Sequence, residues 1–433
     1  MTQYVTSQGV PSEAAHARHP PSTGRLIGVD LARGLAVFGM YAAHVGPDPS
    51  EGGVIGFVME LAHGRSSALF AFLAGFSLVL LTGRREPKIG VEGRQAVLRV
   101  VVRAAILLLL GTALTMAGTS VEVILAYYGL FFVLVLPLYR LRPATLAILA
   151  AGTALVLPQV WYASLGPIES DAWHETVIAH DPLARLSGTD GFTDLFFTGS
   201  YPALVWLPFV IAGMAVARLD LASRLVRVRL GLVGAGLALA GHGGSWLALH
   251  LVPGLPRTLS ETAFDSSAVM ESWWSDRAGL PDSPSAAWMW VAAPHSGTTF
   301  SLLANTGVAL CVLVVCLTVI GRWVRVRRVL TPVIAVGTMS LTAYVFHIGL
   351  IAVLDHHEEP LGPPLLVLLG FIAAAMLPAV LWSRFFRRGP LEYLLYRATT
   401  AAAERTKVTA GVAAVFVVMA VVGGALVGAP GAA

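Results

Sequence analysis

Apolar runs close to twenty residues long recur along the chain, and this recurrence constrains the fold more tightly than any single motif. A helix needs about twenty predominantly apolar residues to cross roughly 30 Å of hydrocarbon. Runs of that kind lie at 26–45, 66–82, 97–117, 121–139, 144–162, 201–219, 231–252, 300–320, 332–354, 363–382 and 408–427. Lipid offers the backbone no hydrogen-bonding partner, so a spanning segment closes its own bonds as a helix or joins a closed barrel. Continuous runs of this length read as helices. The expected fold is therefore all-α, a polytopic membrane helix bundle of about eleven transmembrane helices. Of the 433 residues 56% are hydrophobic and 12% charged, where a soluble domain carries about 25% charge. So little charge cannot cover a soluble surface of this size.

Residues 1–24 are polar and include Pro11, Pro20 and Pro21, which reads as a disordered cytoplasmic tail. No apolar stretch followed by a small-residue cleavage site stands near the start, so the first run is expected to stay as a membrane helix. Residues 25–429 read as one membrane domain without an internal repeat.

Lys and Arg accumulate on the cytoplasmic side of membrane proteins. With the N-terminus inside and alternate connections assigned in turn, 24 of the 29 Lys and Arg residues fall inside, in clusters such as Arg322/Arg325/Arg327/Arg328. Only Arg65, Arg185, Arg257 and Arg277 fall outside, while 18 of 25 acidic residues do. An odd count then places the C-terminus outside. The inner arginines suit anionic lipid headgroups. The net charge of +4 gives no reason to expect a nucleic acid partner. The expected location is the plasma membrane.

Ionisable groups at membrane depth are expensive and mark function. The first run holds Asp30, Arg33 and His44. Asp30 and Arg33 are three apart and can neutralise each other on one face. Arg33 and His44 are eleven apart, which returns to within about 20° of the same face and separates them by roughly 16 Å of rise. A ligand threading along this helix would meet a cation first and an imidazole later. His63 precedes the second run, His250 lies in the seventh and His295 precedes the eighth. Ser340, Tyr344 and His347 follow i, i+4, i+7 spacing in the ninth. That stripe is either glue between helices or a cavity wall.

Two long outer connections, 163–200 and 253–299, are of a length that is often functional. The second carries Trp273, Trp274, Trp288 and Trp290, either as interfacial anchors or as a platform for an acceptor. Cys311 and Cys316 are five apart and read as packing residues, with no disulfide or zinc spacing. His356–His357 with Glu358–Glu359 lacks the spacing of a built metal site, so no functional metal is expected. His242-Gly243-Gly244-Ser245 does not complete a Gly-x-Ser-x-Gly elbow, because position 247 is Leu. No phosphate-binding Gly-Lys-Ser/Thr loop is present.

Several blocks carry a family likeness. They are RLIGVDLARGLAVFGM at 25–40, with an Arg-x4-Asp-x2-Arg-Gly pattern, and HGRSSALFAFLAGFSLVLLTG at 63–83, with Phe70, Phe72, Gly75 and Ser77 in place. YPALVWLPFVIAGMAVAR at 201–218, HSGTTFSLLANTGVAL at 295–310, MSLTAYVFHIGLI at 339–351 and GPLEYLLYRAT at 389–399 extend it over nearly the whole chain. In order and spacing they resemble the heparan-α-glucosaminide N-acetyltransferase-like and YeiB-like bacterial membrane proteins, within the transmembrane acyltransferases. The resemblance implies transfer of an acyl group, an acetyl group first of all, from cytoplasmic acyl-CoA to a hydroxyl or amine across the membrane. The acceptor would be an envelope glycan, a glycolipid or another extracytoplasmic molecule. Acyl-CoA would be the donor substrate, with no tightly bound cofactor.

A histidine in or just after the first span is central in this group, so His44 and His63 are the catalytic candidates. Arg33, with Asp30 beside it, and Arg65 are the candidates for holding CoA, since guanidinium binds phosphate bidentately. His250, His295, Ser340, Tyr344 and His347 are the expected cavity wall. Imidazole titrates near neutrality and suits a base, and a covalent acyl-histidine is equally open at this point. The competing classes are a transporter or lipid flippase using the same buried charges, and a non-catalytic envelope scaffold. The sequence leaves the oligomeric state open, a homo-oligomer included.

Overall fold

The computed structural model describes residues 26–279, 285–355 and 362–405, and among these all regular structure is helical. The chain opens with α1 (Ile27–Val45), α2 (Gly53–Ala62), α3 (Arg65–Thr82), α4 (Gly90–Met116), α5 (Leu125–Val135) and α6 (Pro143–Ile168). Short helices α7 (Asp171–Thr176) and α8 (Pro182–Ser187) shape the first long connection. Then come α9 (Ala203–Ala217), α10 (Arg224–Ala238), α11 (Gly244–Leu251) and α12 (Leu255–Ser260). The last third holds α13 (Thr299–Arg322), α14 (Val324–Val329), α15 (Thr331–Thr338), α16 (Ser340–Leu354), α17 (Pro364–Phe385) and α18 (Pro390–Arg405).

Six helical stretches are long and apolar enough to cross a membrane: α2–α3, α4, α6, α10–α11, α13 and α17. In α4, α6, α10–α11 and α17 only 17–28% of the most apolar window is buried, against 67% in α2–α3. Their exposed faces are as apolar as their buried ones, for example Leu109, Ile148, Leu232 and Leu377. A helix that is hydrophobic all round belongs in lipid, so the chain is a membrane protein.

Of the expected spans within the described residues, four are not among these six. The runs 26–45 and 201–219 form α1 and α9, single helices of 19 and 15 residues. The run 121–139 yields α5, which gives way to a 3₁₀ segment, Leu136–Arg140, where Pro137 has no N–H for the helical ladder. The run 332–354 is α15 and α16, bent by 87° at Met339, and supplies a seventh crossing if the pair is one broken span. The eleventh run at 408–427 and the tail at 1–24 lie outside the described residues.

The core forms around α1, α3 and α9. At the α3–α9 crossing, a Cβ on Gly75 would stand 1.9 Å from the Val210 carbonyl oxygen, and one on Gly213 1.8 Å from that of Phe72. Glycine at both positions lets the two backbones touch, the usual way membrane helices gain close packing. The connection between α11 and α13 is folded, with its own core of Leu249, Leu255, Leu259, Val269, Trp288 and Val291.

Candidate active site

The His44 end of α1 opens into a cavity of about 820 Å³. Its wall includes His44, His63, Glu122, Tyr201, Asp276 and His295, brought together from α1, the α2–α3 corner and the connections before α5, α9 and α13. Apolar walls with a few convergent polar groups are the usual form of a ligand site; here Trp161, Trp288 and Met40 supply the apolar part.

Hydrogen bonding fixes the protonation pattern of the deepest imidazoles. His347, on α16, is fully buried, and its Nδ1 meets the Tyr344 carbonyl oxygen. A carbonyl only accepts, so this Nδ1 carries the proton and donates it. His44 Nδ1 lies 3.1 Å from His347 Nε2. In neutral His347 that Nε2 is an acceptor, so His44 Nδ1–H is the donor. The two rings are within 6° of parallel with centroids 5.3 Å apart. With the 3.1 Å contact this describes edge-to-edge rings joined by an in-plane bond, rather than stacked faces. The relay leaves His44 Nε2 as an unprotonated lone pair. Tyr41 braces His347 from one turn earlier on α1, with ring centroids 4.6 Å apart and its hydroxyl donating to the Ala343 carbonyl at 2.8 Å.

A second imidazole stands across the cavity. His63 Nδ1 lies 3.4 Å from Asp276 Oδ1. Burial pushes the Asp276 carboxyl up, but the hydrogen bond and charge of His63 and the charge of His295 outweigh it and hold the group below the ordinary range. His295 is buried, which pushes its imidazole below the ordinary value; Asp276 pulls it up and His63 pushes it further down. Among the described residues His295 is the one non-glycine at positive φ, 61°. Such strain persists where surroundings over-determine it, often at functional sites. Gly64 permits the approach: a Cβ there would stand 2.3 Å from Pro294 Cβ and 3.0 Å from the His295 ring.

The other end of α1 is closed. Arg33 donates to Asp30 Oδ1 at 3.1 Å and to Ser77 Oγ on α3 at 2.7 Å. Arg33, Ser77, Arg103 and Ser340 line a pocket of about 60 Å³. Along α3 the large cavity ends at Ser67 and this pocket begins at Phe70, one turn on. Phe70 packs face to face with Tyr128 and Tyr344, at centroid distances of 5.6 and 6.2 Å.

The structure thus gathers His44, His63 and His295 on one cavity, with His347 behind His44. Tyr344 lies next to them, its hydroxyl accepting from Ile124 N at 3.1 Å. Ser340, Arg33 and Asp30 belong to the opposite end. Arg65 lies at neither pocket: it is buried and donates to the carbonyls of Glu60, at 2.6 Å, and Trp274. His250 is exposed, stacked on Trp246, and away from the cavity. His356, His357, Glu358 and Glu359 lie outside the described residues. Sequence reasoning missed Asp276 and Glu122, whose wall positions no local pattern signals. It also missed Glu392 on α18, which accepts from Leu341 N at 2.8 Å, Thr342 N at 3.2 Å and Thr342 Oγ1 at 2.6 Å. This carboxylate caps α16 where the preceding bend leaves N–H groups without helical partners.

An apolar helix bundle around a cavity of oriented imidazoles defines a membrane protein equipped for proton or group transfer. Residues 25–251 match the family described as heparan-alpha-glucosaminide N-acetyltransferase, catalytic; the match covers more than half of the chain, and the chain belongs to that family. Residues 282–402 match a family described as a protein of unknown function, DUF418. No curated protein matches the chain. The family makes a membrane acetyltransferase-like function the coarse description of this protein.

Proposed function

We propose that this protein is a membrane acyltransferase that takes an acetyl group from acetyl-CoA and passes it to a hydroxyl or amine across the bilayer. The observation that carries this reading is the relay from the Tyr344 carbonyl through His347 to His44, which leaves His44 Nε2 unprotonated at the cavity. A lone pair so placed can attack a thioester carbonyl or take a proton from an acceptor. Family membership supports acetyl transfer as the chemistry. The arginine distribution favours a cytoplasmic N-terminus in the plasma membrane, with lipid around the apolar helices. In that orientation the Arg33 and Arg103 end faces the compartment that holds CoA. Their guanidinium groups suit its phosphates, and Phe70, packed against Tyr128 and Tyr344, is the side chain that must shift for an acyl arm to reach His44 from that end. The acceptor enters from the cavity side and is an envelope glycan, a glycolipid or a similar extracytoplasmic molecule.

The test is release of CoA from acetyl-CoA by the purified protein in detergent. His44→Asn keeps bulk and some hydrogen bonding but supplies no lone pair of comparable basicity. It is expected to lower release about 10²-fold or more while acetyl-CoA still binds. Unaltered release by the variant would exclude His44 from the chemistry. Acetyl-CoA carried across vesicles without CoA release would instead point to a transporter.

A further inference from the structure

Once His44 Nε2 has taken an acyl group, His44 has no pair left for a proton, because its Nδ1–H is committed to His347. The acceptor must then lose its proton to another group on the cavity wall. The wall offers His63, His295, Glu122, Glu169 and Asp276. Of these, His63 is the imidazole held by a carboxylate. Its Nδ1 faces Asp276 Oδ1, and a carboxylate accepts, so Nδ1–H donates; the Ala43 backbone carbonyl also accepts from this ring, and both partners favour the form in which the imidazole has taken up a second proton. The 3.4 Å separation is at the long end for a hydrogen bond, and such bonds shorten when substrate closes the site.

The segment that carries Asp276 is fastened immediately upstream by two helices. His242, in the π-helical segment that joins α10 to α11, bonds the Trp273 carbonyl at 2.8 Å. Arg65, at the start of α3, donates to the Trp274 carbonyl and sets its guanidinium 5.9 Å from the Trp274 ring. Downstream, Asp265 N bonds the Ala278 carbonyl at 3.0 Å. A buried arginine spent on the Trp274 carbonyl, two residues before Asp276, fixes where that carboxylate stands.

We propose that His63, oriented by Asp276, accepts the proton of the incoming acceptor while His44 carries the acyl group. This rests on the acyltransferase reading above. In the first step His44 Nε2 bonds to the acyl carbon, the C–S bond breaks and CoA leaves as thiolate. In the second, the acceptor oxygen or nitrogen bonds to the acyl carbon as its proton passes to His63 Nε2. The C–N bond breaks and its electron pair returns to His44; the proton on His63 then passes to solvent or the thiolate. Asp276 is a positioning residue and touches no reacting atom. The charged and titratable groups that also face His63 are Glu60 on the preceding helix α2, Asp48 in the α1–α2 connection, His44 on α1 and His295 before α13.

The test uses the full chain in detergent with acetyl-CoA and water as the acceptor, followed by rapid mixing. The unaltered protein should release a burst of up to one CoA per chain and then a slower steady phase. Asp276→Asn should lower the steady phase about tenfold, far more than the burst. It should also move the acid limb of the steady rate to lower pH, because an imidazole without its carboxylate loses its proton more easily. Asp276→Glu should recover part of the rate and move the limb back. A steady phase and pH profile unaltered by Asp276→Asn would overturn the role of Asp276. So would parallel loss of both phases at every pH, the signature of a merely structural residue. Absence of a burst from the unaltered protein would overturn the two-step scheme, and unaltered release by His44→Asn the reading beneath it.

Discussion

The two ends of α1 solve the problem of polar groups at membrane depth in opposite ways. At one end Asp30 and Arg33 meet within a single turn, Ser77 takes a further guanidinium donor, and about 60 Å³ of space remains. At the other end His44 carries no local partner; its hydrogen bond goes to a residue 303 positions away, and about 820 Å³ lies open beside it. The first end is neutralised by charge pairing, the second by hydrogen bonding between imidazoles. A neutralised pair is suited to stability or to gripping an anion. An oriented imidazole with a spare lone pair is suited to chemistry, and it is worth building only next to a space large enough for substrate.

That contrast can be broken by substitution. The largest effect is expected at the closed end, where Arg33→Ala removes the guanidinium bonded to Asp30 Oδ1 and Ser77 Oγ and costs about 3 kcal/mol, the upper end for hydrogen bonds to a charged group. The yield of monodisperse protein on size exclusion reads this, and Arg33→Leu combined with Asp30→Leu should restore the yield without restoring acetyl-CoA binding. A single Arg33→Ala variant as stable as the parent would show the pair to be unimportant for folding. Next comes His347→Phe, which fills the space but removes the acceptor for His44 Nδ1–H. CoA release should fall roughly 10–100-fold with the KM for acetyl-CoA little changed, and an unchanged kcat would dissolve the relay. Glu392→Gln weakens the cap on α16 and should cost about 1 kcal/mol, with a few-fold loss of release; thermal unfolding alongside CoA release measures both. The smallest effect is expected for His250→Ala, within about 0.5 kcal/mol of the parent and with unaltered release. A loss of activity there would mean that an imidazole outside the cavity matters.

Legibility follows the same division. The Asp30–Arg33 pair could be read from i, i+3 spacing, and the placing of Arg33 and His44 at opposite depths of one helix from eleven residues of rise. The apolar runs gave the helices, because a bilayer imposes one length on every crossing. The break at Met339 was not readable: Ser340, Tyr344 and His347 fall at the i, i+4, i+7 spacing of one continuous helix, and the bend is held by Glu392, some fifty residues later. Nor could periodicity separate His347 from His250. Both sit in apolar helices, and in lipid the outward face is as apolar as the inward one, so hydrophobic pattern does not say which side meets protein. Asp276 is 213 positions from His63 in a polar connection, and only the folded chain brings the carboxylate to the imidazole.

The bond between His44 and His347 has a consequence for how the protein is made. The ribosome delivers α1 long before α16, and the carboxylate that caps α16 belongs to α18, the last described helix. The portion matching the acetyltransferase family ends at residue 251, before Asp276, His295 and His347 have been synthesised. His44 thus waits for 303 further residues before its partner exists. A nascent chain halted after α11 would carry the family signature and still lack the relay, the dyad carboxylate and the helix cap. The site can be assembled only after α18 has been made, so products truncated before it would lack the cap on α16.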